Sequence, residues 1–219
     1  KIATKRLIEK IKQIDPDVIH LHNIHGYYLN YPILFDYLSQ AGKPVVWTLH
    51  DCWAFTGHCS HFATANCYRW KSGCFACPLK GIYPRSIGLD RSRENYADKR
   101  YYFNKVKNLT IVTVSQWLKQ LVQQSMLRYD NLICIPNGID LNCFRPIDHI
   151  DPKYDFAGKK VLLGVGTKWT REKGYDDFVE LAKHIDDDYR IVLLGLNVNR
   201  VNRLPDKIIA VHRTENMDV

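Results

Sequence analysis

Four cysteines, Cys59, Cys67, Cys74 and Cys77, fall close together, the last two as Cys-x-x-Cys, in a stretch with no apolar periodicity of its own. Thiolates grouped in this way can close a tetrahedral zinc site, and the metal would supply the folding energy such a loop otherwise lacks. Buried free thiols account for the pattern equally well, and Cys52, His58 and His61 stand by as replacement ligands. A histidine is the second candidate. His50 follows the apolar run Val45–Leu49, and a residue that ends a buried parallel strand faces the edge where α/β sheets bind their ligands. Its imidazole is expected to point into a cleft, the alternative being a structural histidine bonded to a backbone carbonyl; His20 and His22 share the placement. The third candidate is cationic: Lys168, Arg171 and Lys173 precede Gly174 and a helix beginning near Tyr175. Orphan N–H groups at a helix start, with cations beside them, suit a diphosphate, whereas a basic loop merely capping a surface helix would look the same. Gly164-Val165-Gly166 raises a dinucleotide fingerprint, but Trp169 holds the third glycine position and its indole blocks the close helix–strand packing that motif needs.

These residues must be positioned by something, and the apolar pattern says by what. Val18–Leu21, Val45–Leu49, Leu109–Val114 and Leu132–Ile135 read as buried strands without strict alternation, as parallel strands covered on both faces do. Helical stripes alternate with them, at Ile2-Leu7-Ile8-Ile11-Ile14, at Tyr31-Leu34-Phe35-Leu38 and at Trp117-Leu118-Leu121-Val122. Gly42 before Pro44 marks a helix stop. Prolines 136, 146 and 152 punctuate a linker, after which Val161–Gly166, a stripe from Tyr175 to Ile185, Ile191–Leu194 and Ile208–Val211 form a second α/β unit. The expected fold is therefore α/β with two Rossmann-like domains, residues 1–145 with a Cys-rich insertion at 52–80, and residues 146–219. A cleft between two such units is a usual ligand site. The chain opens inside an amphipathic helix without an N-cap and stops at Asp218-Val219 just after a strand, which predicts an internal fragment with both domains incomplete.

Composition narrows the class. With 219 residues, 46% hydrophobic and 25% charged, the chain is neither disordered nor fibrous. Its apolar runs fall far short of the ~20 residues that cross a bilayer. Seven cysteines and no secretory leader at Lys1–Arg6 point to reduced thiols and a cytoplasmic location. The net charge of +8 resides in the first half, and residues 69–107 carry ten basic side chains against three acidic ones. One positive surface is expected there, attractive to nucleic acid, an anionic bilayer or a phosphate-bearing substrate, and equally explained as a solvated helix face.

Several motifs then converge. Gly166 at a strand end, Lys168, and the pair Lys173-Gly174 ahead of a helix resemble the donor-binding segment of glycosyltransferase family 4, retaining enzymes of the two-domain GT-B fold. Lys168 stands where the family has Arg, a point charge replacing a bidentate fork. Asp17-Val18-Ile19-His20-Leu21-His22 resembles the family's strand ending in His-x-His, and Pro44-Val45-Val46-Trp47-Thr48-Leu49-His50-Asp51 its strand ending in Thr-x-His-Asp. Ile133-Cys134-Ile135-Pro136-Asn137-Gly138-Ile139-Asp140, with Phe144 and Pro146, resembles the segment joining its domains. The match runs from about residue 16 to residue 195, and the Cys-rich stretch resembles a bacterial subgroup of extracellular polysaccharide assembly.

The resemblance implies transfer of a sugar from a nucleotide-sugar donor to a saccharide or lipid-linked acceptor, with retained configuration and no catalytic metal. His50 would face the reacting sugar as the catalytic residue; Gly166, Lys168 and Lys173 would bind the donor, the two lysines stabilising the departing diphosphate. The family's glycine-rich loop would lie before Lys1 and its paired glutamates after Val219, so this stretch alone is expected to be inactive. Segment 69–107 would meet a lipid-diphosphate acceptor or the anionic inner face of the plasma membrane, with no nucleic-acid partner. Two other readings stand beside it: a zinc-containing nucleic-acid-binding module, with Tyr96, Tyr101, Tyr102 and Phe103 stacking on bases, and a catalytically dead carbohydrate-binding homologue.

Overall fold

A computed structural model describes residues 1–146, 156, 158–167, 169–170, 173–196 and 204–212. The chain divides into two compact units, Lys1–Gly138 and Ile139–Val219. In the first, α1 (Ile2–Ile14), β1 (Ile19–Leu21), α2 (Tyr31–Leu38), β2 (Val45–Leu49), three short 3-10 turns, α3 (Ser92–Phe103), β3 (Leu109–Thr113), α4 (Gln116–Gln123) and β4 (Asn131–Cys134) follow one another. The four strands form one parallel sheet in the order β1-β2-β3-β4. In the second, β5 (Lys160–Val165), α5 (Tyr175–Leu181), β6 (Tyr189–Leu194) and β7 (Ile208–Val211) form a parallel three-stranded sheet. The result is α/β in both units.

Local chemistry sets the helix starts. Asn30 caps α2 by accepting the Ile33 N–H at 3.1 Å, and Ser115 caps α4 by accepting the Leu118 N–H at 3.2 Å. The core of the first unit centres on three fully buried rings: Phe35 of α2, Trp47 of β2 and Phe103 of α3. Phe103 lies with ring centroids 4.4 Å from Phe35 and 4.9 Å from Trp47, distances at which aromatic pairs add to simple burial. Phe103→Ala is expected to cost about 3–5 kcal/mol, since the ring's contacts and the cavity it leaves both count. Urea unfolding would measure it, and a loss below about 1 kcal/mol would mean that the site collapses freely.

Not every apolar run is buried as expected. The outer strand β4 alternates exposed and half-buried residues, and β5 leaves Val161, Leu163 and Val165 exposed. Each pairs with a neighbour on one side only among the described residues, and one face of its pleat meets the core while the other does not. In α1 only Thr4 and Ile8 are buried, with Ile2 and Ile14 at the helix ends exposed. Residues 147–155, at the centre of the expected linker, lie outside the described residues. No helix among the described residues is long and apolar enough to cross a membrane.

Candidate active site at the ends of the first two strands

Parallel pairing of β1 with β2 sets Leu21 opposite Trp47, so the residues leaving both strands at their C-terminal ends become neighbours. His20 places Nε2 2.8 Å from the Thr48 hydroxyl. His22 Nδ1 lies 3.2 Å from His50 Nε2, and the two exposed rings stack at 26° with centroids 5.5 Å apart. One nitrogen of that contact must donate and the other accept, so the pair holds one shared proton along it. Burial, then the charge of His22, pushes the pKa of His20 down. The Trp47 indole N–H donates to the His22 carbonyl at 3.1 Å and fixes the chain where it leaves β1.

A second pair lies one step further along both loops. His25 Nε2 meets Asp51 Oδ2 at 2.8 Å with both side chains largely buried, and Asp51 Oδ1 accepts the Trp53 N–H at 2.8 Å. Burial works against the Asp51 charge, but the His25 and Trp53 hydrogen bonds prevail and hold its pKa below the ordinary 3.8. A carboxylate lowered in this way stabilises the fold fully above its unfolded value and loses that contribution as pH falls through the folded one. The stability gap between wild type and Asp51→Asn should therefore shrink as pH falls below about 4. Urea midpoints across the acid range would report it, and a gap that widens there would overturn the assignment.

Beside these groups opens a pocket of about 250 Å³ whose walls include His25, Tyr27, Tyr31, Trp53, His58 and Lys99. Lys99 of α3 is fully buried, donates from Nζ to the carbonyls of Trp53 at 2.7 Å and Thr56 at 3.0 Å, and lies 3.5 Å from the Trp53 ring centroid. Burial drives its pKa well below the usual lysine value. Gly57 lets this loop press against α3, because a Cβ there would run into the Ser92 carbonyl. The pocket therefore has aromatic walls, polar edges and a floor clamped by one lysine. Nothing in the sequence pattern flags Lys99, since a lysine in a polar helix reads as solvated; Asp51 adjoins His50, and His25 follows His22 by one short loop, which is the signal that could have found them.

Within the basic segment 69–107, Lys99 is buried and Lys105 pairs with Asp36 at 2.8 Å, while Arg69, still exposed, donates to the carbonyls of Phe75 and Ala76. What remains exposed includes Arg93 and Arg100, which line a groove of about 530 Å³ with Tyr101 and with Arg128 from outside the segment.

The four cysteines do share one place: all line a single small cavity with His58 and Arg69. Their arrangement differs from the expected zinc site. Among the described residues no group of three or more His, Cys, Asp or Glu side chains is placed to hold a metal ion. One thiol is taken up by hydrogen bonding within the protein: Cys74 Sγ accepts the Gly57 N–H at 3.1 Å. The neighbouring Cys77 thiol, then burial, pushes the pKa of Cys59 up, while the Cys59 thiol and the Leu79 N–H lower that of Cys77 to about 7. Among the described residues the buried His58 Nε2 has no hydrogen-bond partner, and burial pushes that ring's pKa down.

In the second unit, Gly166 leaves β5 and donates its N–H to the Leu194 carbonyl at 3.1 Å. Trp169 spans the space between strand and helix, its indole N–H on the same Leu194 carbonyl and its ring edge-on to Phe178. Lys173 is exposed immediately before Gly174, whose φ of +74° starts α5. That helix has seven residues and carries Asp176 and Asp177 in its first turn, which already complement its N-terminal dipole. Attraction of an anion here would have to come from side-chain cations. Lys168 and Arg171 lie outside the described residues.

Comparison with known proteins places this geometry. A colanic acid biosynthesis glycosyl transferase, WcaC, of Escherichia coli (strain K12) is 32% identical over 157 residues, covering 68% of this chain and 38% of that protein. Among solved structures, the glycosyltransferase SnogD from Streptomyces nogalater aligns with a TM-score of 0.44 at 12% identity, over 96% of this chain and 48% of its own. The glycotransferase of kitacinnamycin aligns at 0.43 and 14%, over 95% of this chain and 51% of its own. The chain thus spans about half or less of the length of these proteins. The family model described as Glycosyltransferase Family 4 matches residues 2–142, a stretch that contains every histidine and carboxylate of the site above, and the chain belongs to that family.

Proposed function

We propose that this chain is part of a retaining glycosyltransferase that moves a sugar from a nucleotide-sugar donor to a saccharide or lipid-linked acceptor in bacterial polysaccharide biosynthesis. The observation that carries the reading is the cluster of His22, His50, His25 and Asp51 at the C-terminal ends of β1 and β2, beside a roomy pocket and inside the stretch the family model matches. His50 presents an exposed imidazole that can bond hydroxyls of the transferred sugar, and His22 holds its ring. The pocket walled by Tyr27, Tyr31 and Trp53 takes the acceptor sugar, whose apolar ring face packs on aromatics. Gly166, Lys168 and Lys173 belong to the donor side, where cations stabilise the diphosphate as its charge grows. In this reading residues 1–145 serve the acceptor and residues 146–219 the donor. The full-length protein, incubated with a panel of nucleotide sugars and lipid-linked acceptors, should release nucleoside diphosphate and form a glycoside of retained configuration by NMR. Donor binding without turnover across the panel would point instead to a sugar-binding homologue.

The acceptor chemistry also suggests where the protein works: in the cytoplasm, held peripherally at the inner face of the plasma membrane. Support comes from the groove of Arg93, Arg100 and Arg128, since each basic residue near an anionic surface contributes ~1 kcal/mol and is screened by salt. Cosedimentation should show binding to vesicles containing phosphatidylglycerol that fades with salt and with Arg93→Glu. Equal binding to neutral vesicles would remove the electrostatic reading, and tighter salt-dependent binding to DNA would revive the nucleic-acid module, which family membership otherwise leaves without support.

A further inference from the structure

The loop that leads from the Cys-rich stretch into α3 has a tethered backbone and outward-facing apolar side chains. Ser86 closes it by donating its N–H to the Lys80 carbonyl at 2.9 Å, and the Tyr27 hydroxyl donates to the Arg85 carbonyl at 2.9 Å. At its far end Asp90 accepts the N–H groups of Cys77 at 2.8 Å and Ser92 at 2.9 Å. Between these ties Ile87 is 91% exposed and Leu89 85%, and half or more of Ile82 and of Tyr83 is exposed as well. Tyr27 and Tyr28, from the loop after β1, are exposed too, and the Tyr27 ring meets that of Tyr83 edge-on with centroids 6.4 Å apart. An apolar residue exposed singly is ordinary, whereas several gathered on one tethered surface mark contact with something else.

The chemistry around the apolar tip selects the occupant. Lys80, Arg85 and Arg91 are exposed in and beside the loop, against the single carboxylate of Asp90. The core of a protein–protein interface is depleted in charge, whereas an anionic bilayer takes cations at its headgroups, tyrosine rings at the same level and aliphatic side chains just below. We propose that residues 82–89, with Tyr27 and Tyr28, form a membrane-docking loop: Ile87 and Leu89 enter the boundary between headgroups and acyl chains of an anionic bilayer, and Lys80, Arg85 and Arg91 pair with lipid phosphates. Entry is shallow, because irregular backbone placed in hydrocarbon would leave polar groups unsatisfied. Pro84, Arg85 and Ser86 also line the 250 Å³ pocket together with Tyr27, so docking sets that pocket at the lipid surface, where the head of a lipid-linked acceptor lies. The inference rests on the lipid-linked acceptor and peripheral location proposed above, and it adds an apolar contact to the electrostatic one.

The test uses the full-length protein and vesicles of phosphatidylglycerol mixed with phosphatidylcholine. Cosedimentation against salt compares wild type with the double variant Ile87→Ser and Leu89→Ser, whose altered side chains are exposed and leave the core untouched. Wild type should keep part of its binding at ~1 M salt, where the Debye length is about 3 Å. The double variant should keep none there and bind at least about tenfold more weakly at low salt, since two aliphatic side chains no longer leave water. Hydrogen exchange over residues 82–89 of wild type should slow when vesicles are added. A double variant that binds as wild type does would overturn the docking loop and leave the peripheral location standing, and a wild type that binds no vesicle would remove both. Exchange that slows without vesicles as protein concentration rises, with a dimer that the double variant loses, would overturn the proposal in favour of a second copy of this chain. Vesicle binding does not require catalysis, so each of these results leaves the sugar-transfer reading to its own assay.

Discussion

His50→Ala in the full-length enzyme is expected to lower kcat about 10²–10³-fold, the usual loss when one preorganised hydrogen-bonding group at a reacting centre is removed. His50 is exposed at the end of β2 and its Nε2 touches His22 Nδ1 at 3.2 Å, so no buried contact disappears with it and thermal stability should change little. The loss should fall on kcat rather than on KM, because an interaction strengthened only in the transition state adds nothing to ground-state binding. His22→Ala is the informative companion. As a positioning residue it should cost less than His50→Ala, and almost nothing once His50 is already gone, since coupled residues are not additive. A His50→Ala enzyme with near wild-type kcat, or one with only KM raised, would remove His50 from the reaction.

Lys173→Ala is expected to cost a similar ~10²–10³-fold in kcat, through a different mechanism. The side chain is exposed just before α5, a short helix whose first turn is already acidic. The lysine charge, rather than the helix end, would then stabilise the leaving diphosphate. Lys173→Arg keeps the charge and should retain much of the activity, whereas Lys173→Met keeps the stem and should not. Steady-state kinetics of the three variants with the working donor would separate charge from packing. Equal activity in all three would sink the role.

The two units were not equally legible. Gly166, Lys173 and Gly174 stand out because a glycine at a strand end and a cation before a helix are local patterns. The strand over Val45–Leu49 was legible for the same reason: it pairs on both sides and is almost wholly covered, so its apolar run carries no alternation to confuse. The run over Val161–Val165 looks alike in sequence, yet Val161, Leu163 and Val165 are exposed, because among the described residues this strand pairs on one side only, and pairing is not settled by composition. In segment 69–107 the count of basic residues did not say which of them would be taken up: Lys99 is buried against the carbonyls of Trp53 and Thr56, and Lys105 pairs with Asp36, both at a distance in sequence.

Periodicity and motif spacing were sufficient to determine the α/β class, the placement of His50 at a strand end, and the family to which the chain belongs. These depend on neighbours within a turn or a strand, and short-range sterics and hydrogen bonding make such patterns repeat from one protein to another. Only the tertiary structure decided which side chains meet. The His22–His50 contact needs β1 and β2 in parallel register, the clamp of Lys99 on Trp53 and Thr56 spans more than forty residues of chain, and the four cysteines line one cavity without making a metal-holding group among the described residues. Such contacts are set by how the sheet stacks and how the loops fold over it. A buried polar group takes whichever partner that packing brings within reach, since leaving it unpaired would cost about 1–3 kcal/mol.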